Sequence, residues 1–459
     1  MKLEAVISEV LQKIVPTEDE RAFVRELMGE LEEIAREKAE ELGIDVKPYF
    51  VGSLAKDTYL AGDHDVDLFL AFPLDTPLEE VREKGLELGK EIGKTLGEYE
   101  IAYAEHPYVR AKYRGGVKVD LVPCYDVRDW KDVRTAVDRS ILHTKWVNEN
   151  INGKNNEVRL LKRFLKGIAA YGSEIYVRGF SGYLSEILVI KYGSFAEVLE
   201  KADFILRQKV IDPAGWLKRE PEIAMKTVKR EVEEDKPLVV IDPPVDPPRR
   251  NVAANLSWEK YGRFYFKADE FLRRPSLEFF FPTGKTGGDY LAELRRKGTH
   301  LITLLFDVPE MVDDLLFPQL ERSARGFEKA LSREGFGVFG WNAGRYGAEK
   351  AFIMLEIDRI DRPRVKIHPG PEFFTERGRD FYRKNERVWL VGKRLYAEKR
   401  VKENIIDVIR ELLEKNQVAL GKNLRETIRA AEMLVDYVPR SLENEAYLFL
   451  SREKDGLKQ

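Results

Sequence analysis

The sequence predicts a multidomain α+β protein. Three observations carry that expectation. The chain has 459 residues, which at about 100–200 residues per domain is two to four domains. Its first 145 residues alternate long stretches of helical period with short strand-like runs. The remainder turns largely helical and then, from residue 300, alternates strand-like runs with amphipathic helices.

The elements follow in order. Leu3, Val6, Ile7, Val10, Leu11 and Ile14 have helical spacing, and Pro16 ends that helix. Thr17 with Glu20 forms a capping box that opens a long helix to Gly43. Tyr49-Phe50-Val51 is a short apolar strand ending in Gly52-Ser53, and Val66 to Phe72 is another. A helix fits 78–96. Residues 99–113 and 117–122 read as two strands joined at Gly115-Gly116, so the sheet of this unit is mostly antiparallel. From Glu157 to Leu206 the pattern is helical, with Val158, Leu161, Phe164 and Leu165 on one stripe. The segment KPLVVIDPPVDPPRR, 236–250, holds five prolines and must be extended. Residues 251–274 read as helix, and LITLLF (301–306) and AFIMLEI (351–357) as strands.

Composition excludes several classes. Hydrophobic residues at 43% and charged residues at 34% exclude a disordered chain, a collagen-like repeat and a disulfide scaffold. Cys124 is the one cysteine, so a reducing compartment is expected. No apolar run approaches the roughly 20 residues that span a bilayer. The N-terminal stretch is amphipathic and unlike a signal peptide, and a soluble cytoplasmic protein is expected. The net charge is −3, but it is segregated. Residues 17–42 hold ten acidic and four basic residues, and 377–402 hold ten basic and three acidic. Solvated faces explain either segment alone; the polarity points to a nucleic-acid surface near the C-terminus. The basic stretch interleaves Phe381, Tyr382, Trp389 and Tyr396, and reads equally as RNA surface or as ordinary amphipathic structure. Trp258, Tyr261, Phe264, Tyr265, Phe266 and Phe271, at near-helical spacing, are expected to be core with one ring exposed.

The chemistry concentrates in VGSLAKDTYLAGDHDVDLFLAF, 51–72. Asp65 and Asp67 alternate with Val66 and Leu68, so both carboxylates share one strand face. Side-by-side carboxylates repel unless a cation sits between them, and oxygen-seeking Mg2+ suits such a pair. Gly52 permits close approach of the backbone to a ligand; the Ser53 hydroxyl and the helix that follows can hold a phosphate oxygen, and Lys56 adds charge. In VKVDLVP, 117–123, Val119 and Leu121 anchor a strand that displays Asp120 beside Lys118. Five scattered histidines give no zinc motif. Gly284-Lys285-Thr286 mimics the end of a P-loop, but position 279 is Phe where that motif needs Gly.

Gly-Ser, then Asp-x-Asp, then a lone Asp on a later strand resembles the nucleotidyltransferase superfamily typified by DNA polymerase beta. The strings YAEHPYVRAKYRGGVKVDLVPCY (103–125), AVDRSILHTKW (136–146), NEVRLLKRFLK (156–166), YGSEIYVRGFSGYLSEILVIKYGSF (171–195), RNVAANLS (250–257) and DDLLFPQLERSARG (313–326) together are similar to the archaeal, class I CCA-adding enzymes, tRNA nucleotidyltransferases. The resemblance implies a catalytic palm or head at 1–145, a helical neck at 146–265 and an α/β body and tail at 266–459. It implies metal-binding roles for Asp65, Asp67 and Asp120, phosphate contacts for Ser53 and Lys56, nucleotide contacts for His143, Lys162 and Tyr171, and base recognition by Arg250. Asp65 stands where many members have Glu, Lys56 where Arg is also found, and Ser140 where Thr is common. Mg2+ as cofactor, CTP and ATP as substrates, tRNA held along its acceptor stem and T-arm, and a homodimer are implied as well. Lys393 and Arg394 are the expected RNA contacts of the basic stretch. Another template-free RNA transferase, such as a poly(A) polymerase, and a non-catalytic RNA-binding protein on the same fold are the competing readings.

Overall fold

Amphipathic period, capping and turn residues build the first elements as expected. In the computed structural model, helix α1 (Leu3–Ile14) buries Val6, Val10 and Ile14 on one stripe. Helix α2 (Glu18–Leu42) begins where the Thr17 hydroxyl accepts the Glu20 N–H and ends at Gly43, φ 65°. Strand β1 (Lys47–Val51) leads into the one-turn helix α3 (Gly52–Ala55), and β2 (Val66–Phe72) returns antiparallel to β1. Helix α4 (Leu78–Leu96) is followed by β3 (Tyr99–Tyr103), β4 (Pro107–Tyr113) and β5 (Val117–Tyr125). The sheet order is β1-β2-β5-β4-β3, with β2–β5 its parallel pair. The expected strand over 99–113 is therefore two strands. Leu27, Leu31, Leu68, Leu70, Leu88 and Leu121 form the core between the sheet and helices α2 and α4. The structure describes residues 2–103, 107–245, 248–282 and 288–452, so Gly284-Lys285-Thr286 lies outside the described residues.

A helical layer follows: α5 (Arg139–Asn150), α6 (Asn155–Gly167), α7 (Gly182–Tyr192), α8 (Phe195–Glu200) and α9 (Ala202–Gln208). The expected continuous helical stretch is broken at 168–181, where Tyr171 forms a parallel bridge with Phe180. Gly172 there takes φ 115°, which a helix cannot use. Tyr171 is therefore in a loop, not on a helix. Strand β6 (Val210–Ile211), helices α10 (Trp216–Arg219) and α11 (Pro221–Glu233) and strand β7 (Val239–Val240) come next. β7 pairs with β6, and Ile241 bridges Asn251, so the proline-rich segment is extended at its start. The expected helix from 251 begins only at Trp258, as α12 (Trp258–Arg273), because Ser257 supplies its cap. Tyr261, Phe264 and Phe271 are core; Trp258 and Phe266 are both exposed, one ring more than expected. The expected boundary at 265 falls inside α12, and α1 and Phe280 pack into the same helical core as α6 and α7. Met1–Thr283 forms one compact unit and Gly284–Gln459 a second.

In the second unit, α13 (Tyr290–Lys297), β8 (His300–Asp307), α14 (Asp313–Arg333), β9 (Val338–Tyr346) and β10 (Lys350–Ile357) are followed by β11 (Val365–Glu372), α15 (Glu376–Lys384), β12 (Val388–Val391) and β13 (Arg394–Arg400). The described residues of this unit close with α16 (Ile405–Glu414), α17 (Arg425–Arg429), β14 (Glu432–Val435) and α18 (Glu443–Leu450). Strand alternation sorts the core of the sheet β14-β8-β10-β9. Ile302, Leu304, Ile353 and Leu355 face α14 and α16, while Leu301, Leu305, Phe352 and Met354 face α13 and α18. The basic segment 377–402 spans α15, β12 and β13 of a separate sheet, β11-β13-β12. No described helix is long and apolar enough to cross a membrane.

Candidate active site

β1 ends at Val51, and Gly52 turns the chain into α3 with φ 72°. Glycine is required there twice over. The backbone is left-handed, and a Cβ would lie 2.0 Å from Oδ2 of Asp67. The ladder sets Val51 opposite Asp67 on one side of β2 and Asp120 opposite Asp67 on the other. Asp65 stands one residue before β2 and shares the face of Asp67 by alternation, while Val66 and Leu68 are buried. Ser53, Lys56, Asp65, Asp67, Asp120, Lys162 and Tyr171 all line one cleft of about 480 Å3.

The electrostatics of the strand side are strained. Burial, and then the charge of Asp120, push the Asp67 carboxyl up to about 7, although Lys56 pulls the other way. Asp120 is engaged by Arg110, its register partner on β4: Nε donates to Oδ1 at 2.7 Å and Nη2 to Oδ2 at 2.8 Å. As the side chains stand, no three acidic, histidine or cysteine groups among the described residues converge on one point. The donors are nevertheless all oxygen, and Asp67 and Asp120 repel each other despite the nearby charges of Lys56 and Arg110. A hard divalent cation fits that chemistry, in competition with Arg110 for Asp120.

On the helical side, Lys56 and Lys162 do not stand free. Lys56 Nζ donates to Glu186 Oε2 at 2.5 Å, and Lys162 Nζ to Oε1 at 3.1 Å. The Thr58 hydroxyl also donates to Oε1, at 2.7 Å, and accepts from Lys162 at 2.8 Å. Glu186 is fully buried on α7. Burial alone would raise its carboxyl, but the two lysines more than offset this and hold it at about 2. Burial draws the Lys162 ammonium down to about 8 in spite of Glu186. Two ammonium groups on one carboxylate leave a net positive charge at the edge of the cleft. Tyr171 reaches the same wall because Gly182 has no side chain: a Cβ there would stand 3.0 Å from the Tyr171 hydroxyl.

His143 lies in an adjoining pocket of about 190 Å3, shared with Ser140, Thr144 and Asp67. Its ring stacks on Tyr183 with centroids 4.1 Å apart, and Nε2 donates to Oδ2 of Asp242 at 2.9 Å. Burial lowers the pKa of the imidazole. Arg250 lines neither cavity, yet its Nη1 donates to the same Asp242 oxygen at 2.5 Å. Lys393 and Arg394 lie in the second unit, exposed at the β12–β13 turn, where Gly392 takes φ 58°. Lys399, Arg400 and Lys402 of the same basic segment line a separate cavity of about 440 Å3 with Arg362 and Lys366.

Three partners escape the sequence reading: Arg110, Glu186 and Asp242. With a three-residue turn, Arg114-Gly115-Gly116, Tyr113 pairs with Val117 and Arg110 with Asp120; a two-residue turn at Gly115-Gly116 would have paired 110 with 121 instead. Glu186 is the lone acid in GYLSEILVI, and Asp242 the acid that closes LVVI. A charge inside an apolar run is the mark of a buried partner.

Comparison with known proteins agrees with this geometry. Residues 29–143 match the family described as nucleotidyltransferase domain, 156–281 the second domain of tRNA nucleotidyltransferase, and 297–436 the C-terminal domain of CCA-adding enzyme. A sheet presenting Asp67 and Asp120 behind the Gly52-Ser53 turn thus lies within the first of these matches, and the chain is a nucleotidyltransferase. The chain is 92% identical over 458 residues to the CCA-adding enzyme of Thermococcus kodakarensis, covering 100% of both. It is 66% identical to that of Pyrococcus furiosus, covering 100% of this chain and 99% of the relative. With that of Archaeoglobus fulgidus the identity is 40%, covering 94% of both. The chain belongs to the CCA-adding enzyme family, and is a tRNA nucleotidyltransferase.

Proposed function

We propose that this enzyme adds C, C and A to the 3′ end of tRNA without a nucleic-acid template, consuming CTP and ATP. The observation that supports this reading most is the cleft itself: paired aspartates on neighbouring strands face a wall whose two buried lysines outnumber their one carboxylate. That polarity suits a triphosphate whose α-phosphate meets the aspartates. The 3′-hydroxyl oxygen of tRNA bonds to the α-phosphorus, loses its proton, and the bond to the bridging oxygen breaks so that pyrophosphate leaves. Asp65, Asp67 and Asp120 would hold Mg2+, which when bound activates the hydroxyl and neutralises the leaving group. Ser53, Lys56, His143 and Lys162 bind and align the triphosphate, Tyr171 contacts the nucleotide beside them, and Arg250 reads the base edge. Lys56 and Lys162 exchange part of their pairing with Glu186 for phosphate oxygens. In the second unit the segment 377–402 takes tRNA phosphates, with Lys393 and Arg394 among the contacts. A cytoplasmic location and a homodimer go with the family resemblance.

The test uses tRNA lacking its terminal CCA, with labelled CTP and ATP and sequencing of the 3′ ends. Wild type is expected to stop after three nucleotides, and Asp67→Ala to add none while still binding tRNA. Long A-tails from wild type would favour a poly(A) polymerase, and addition by Asp67→Ala at near wild-type rate in Mg2+ would overturn the catalytic assignment.

A further inference from the structure

Asp242 is a buried carboxylate with no place in the chemistry above. It sits just after β7, and its side chain is wholly inaccessible to solvent. Three donors, two from helices and one from the segment after the prolines, meet on it. Oδ1 accepts the Tyr183 hydroxyl at 3.0 Å, from α7; Oδ2 accepts His143 Nε2 at 2.9 Å, from α5, and Arg250 Nη1 at 2.5 Å. Burial alone would raise its pKa, but its contacts with His143 and Arg250 hold it below the ordinary carboxylate value. The backbone repeats the connection: the Asp242 N–H donates to the Arg250 carbonyl, and the Val240 N–H to Oδ1 of Asn251. Asn251 is itself tied to Glu231 and to the Leu238 carbonyl. The main chain at Arg250 is thus held without the Asp242 side chain; of Arg250, that side chain engages the guanidinium alone.

We infer that Asp242 is the positioning residue for nucleotide choice, aiming Arg250 and His143 at the incoming nucleotide from behind. This rests on the proposed base recognition by Arg250. One N–H of the guanidinium is spent on the buried carboxylate, which restricts the directions its remaining donors can take. A base edge is selected sharply only by donors that cannot turn to suit another base. With Asp242 neutralised, the guanidinium is free to swing toward the triphosphate or toward uracil. A purely structural carboxylate would behave differently: its loss would slow every nucleotide alike.

The experiment is single-turnover incorporation of CMP, AMP and UMP into tRNA lacking its terminal nucleotides. The enzymes are wild type, Asp242→Asn, Arg250→Ala, the double variant and Tyr183→Phe. Asp242→Asn is expected to lower the CMP-to-UMP ratio by about tenfold, mainly through nucleotide KM. If the carboxylate acts through Arg250, the double variant is no less selective than Arg250→Ala alone. Tyr183→Phe keeps the buried charge and loses one hydrogen bond to it, for a drop of about threefold in the same ratio. An unchanged ratio in Asp242→Asn, with all three rates reduced equally, overturns the inference. If that variant does not fold, an unchanged ratio in Tyr183→Phe overturns it instead. An unchanged ratio in Arg250→Ala removes the base-reading role itself, a distinct result.

Discussion

Replacing Asp67 by Asn should stabilise the protein while destroying its activity. Folding raises the carboxyl from 3.8 to about 7, through burial first and Asp120 second. A carboxyl raised in this way costs stability only when ionised. The cost is absent below about pH 4, grows between pH 4 and 7, and is complete above pH 7. That rise sets a ceiling of about 4 kcal/mol. Because Asp67 borders a water-accessible cleft, about half of that, ~2 kcal/mol, is expected. Asparagine keeps the shape and carries no charge. In chelator at pH 8, Asp67→Asn should therefore melt about 5 °C above wild type, and near pH 4 the two should coincide. Adding Mg2+ at about 100 times its dissociation constant should return ~2.7 kcal/mol to wild type and little to the variant. Calorimetry at the two pH values, with and without Mg2+, measures all four quantities. A variant less stable than wild type at pH 8 in chelator, or an equal response of both proteins to Mg2+, would refute the account of Asp67 as a carboxylate awaiting a cation.

Gly52→Ala forces a methyl group against Oδ2 of Asp67 at a left-handed backbone position. It should cost about 1–3 kcal/mol of stability and at least about a hundredfold in nucleotide addition, read by thermal melts and single-turnover rates; near wild-type addition would contradict the contact. Glu186→Gln leaves Lys56 and Lys162 buried without their counter-charge, and should destabilise by about 3–5 kcal/mol at pH 7. Glu186 contributes stability above its ordinary 4.5 and loses it as pH falls toward 2, so denaturant titrations should show the two proteins converging in acid; a constant difference would refute the pairing. Double substitution of Lys393 and Arg394 by Ala should weaken two unrelated tRNAs alike and flatten the log–log salt slope by roughly 0.7–0.9 per lost phosphate contact; filter binding with an unaltered slope would move the RNA surface elsewhere.

The sequence by itself determined the elements whose cause is local. The first two helices, the Thr17 cap, the helix at 78–96 and the alternation of Asp65 and Asp67 all rest on residues a few positions apart. Turn chemistry did the same for Gly52-Ser53 and for the Gly115-Gly116 hairpin. Motif order along the chain was enough for the family, because it is a one-dimensional property. Local signals fell short where they were averaged over too long a window. The helical period across 157–206 hid the loop at 168–181, and the apolar run at 99–113 hid the break between β3 and β4.

Only the tertiary structure decided how the charged side chains are spent. Lys56 meets Glu186 across 130 positions, and His143 meets Asp242 across 99. Nothing near any of these residues names its partner. A lysine in sequence reads as a free cation for a phosphate. Once buried it must be paired or lose its charge, and the partner is whatever acid the packing of α3, α6 and α7 brings within reach. The same desolvation that makes these pairs obligatory in the fold makes them invisible along the chain, since burial belongs to no single residue until the layers have closed over it.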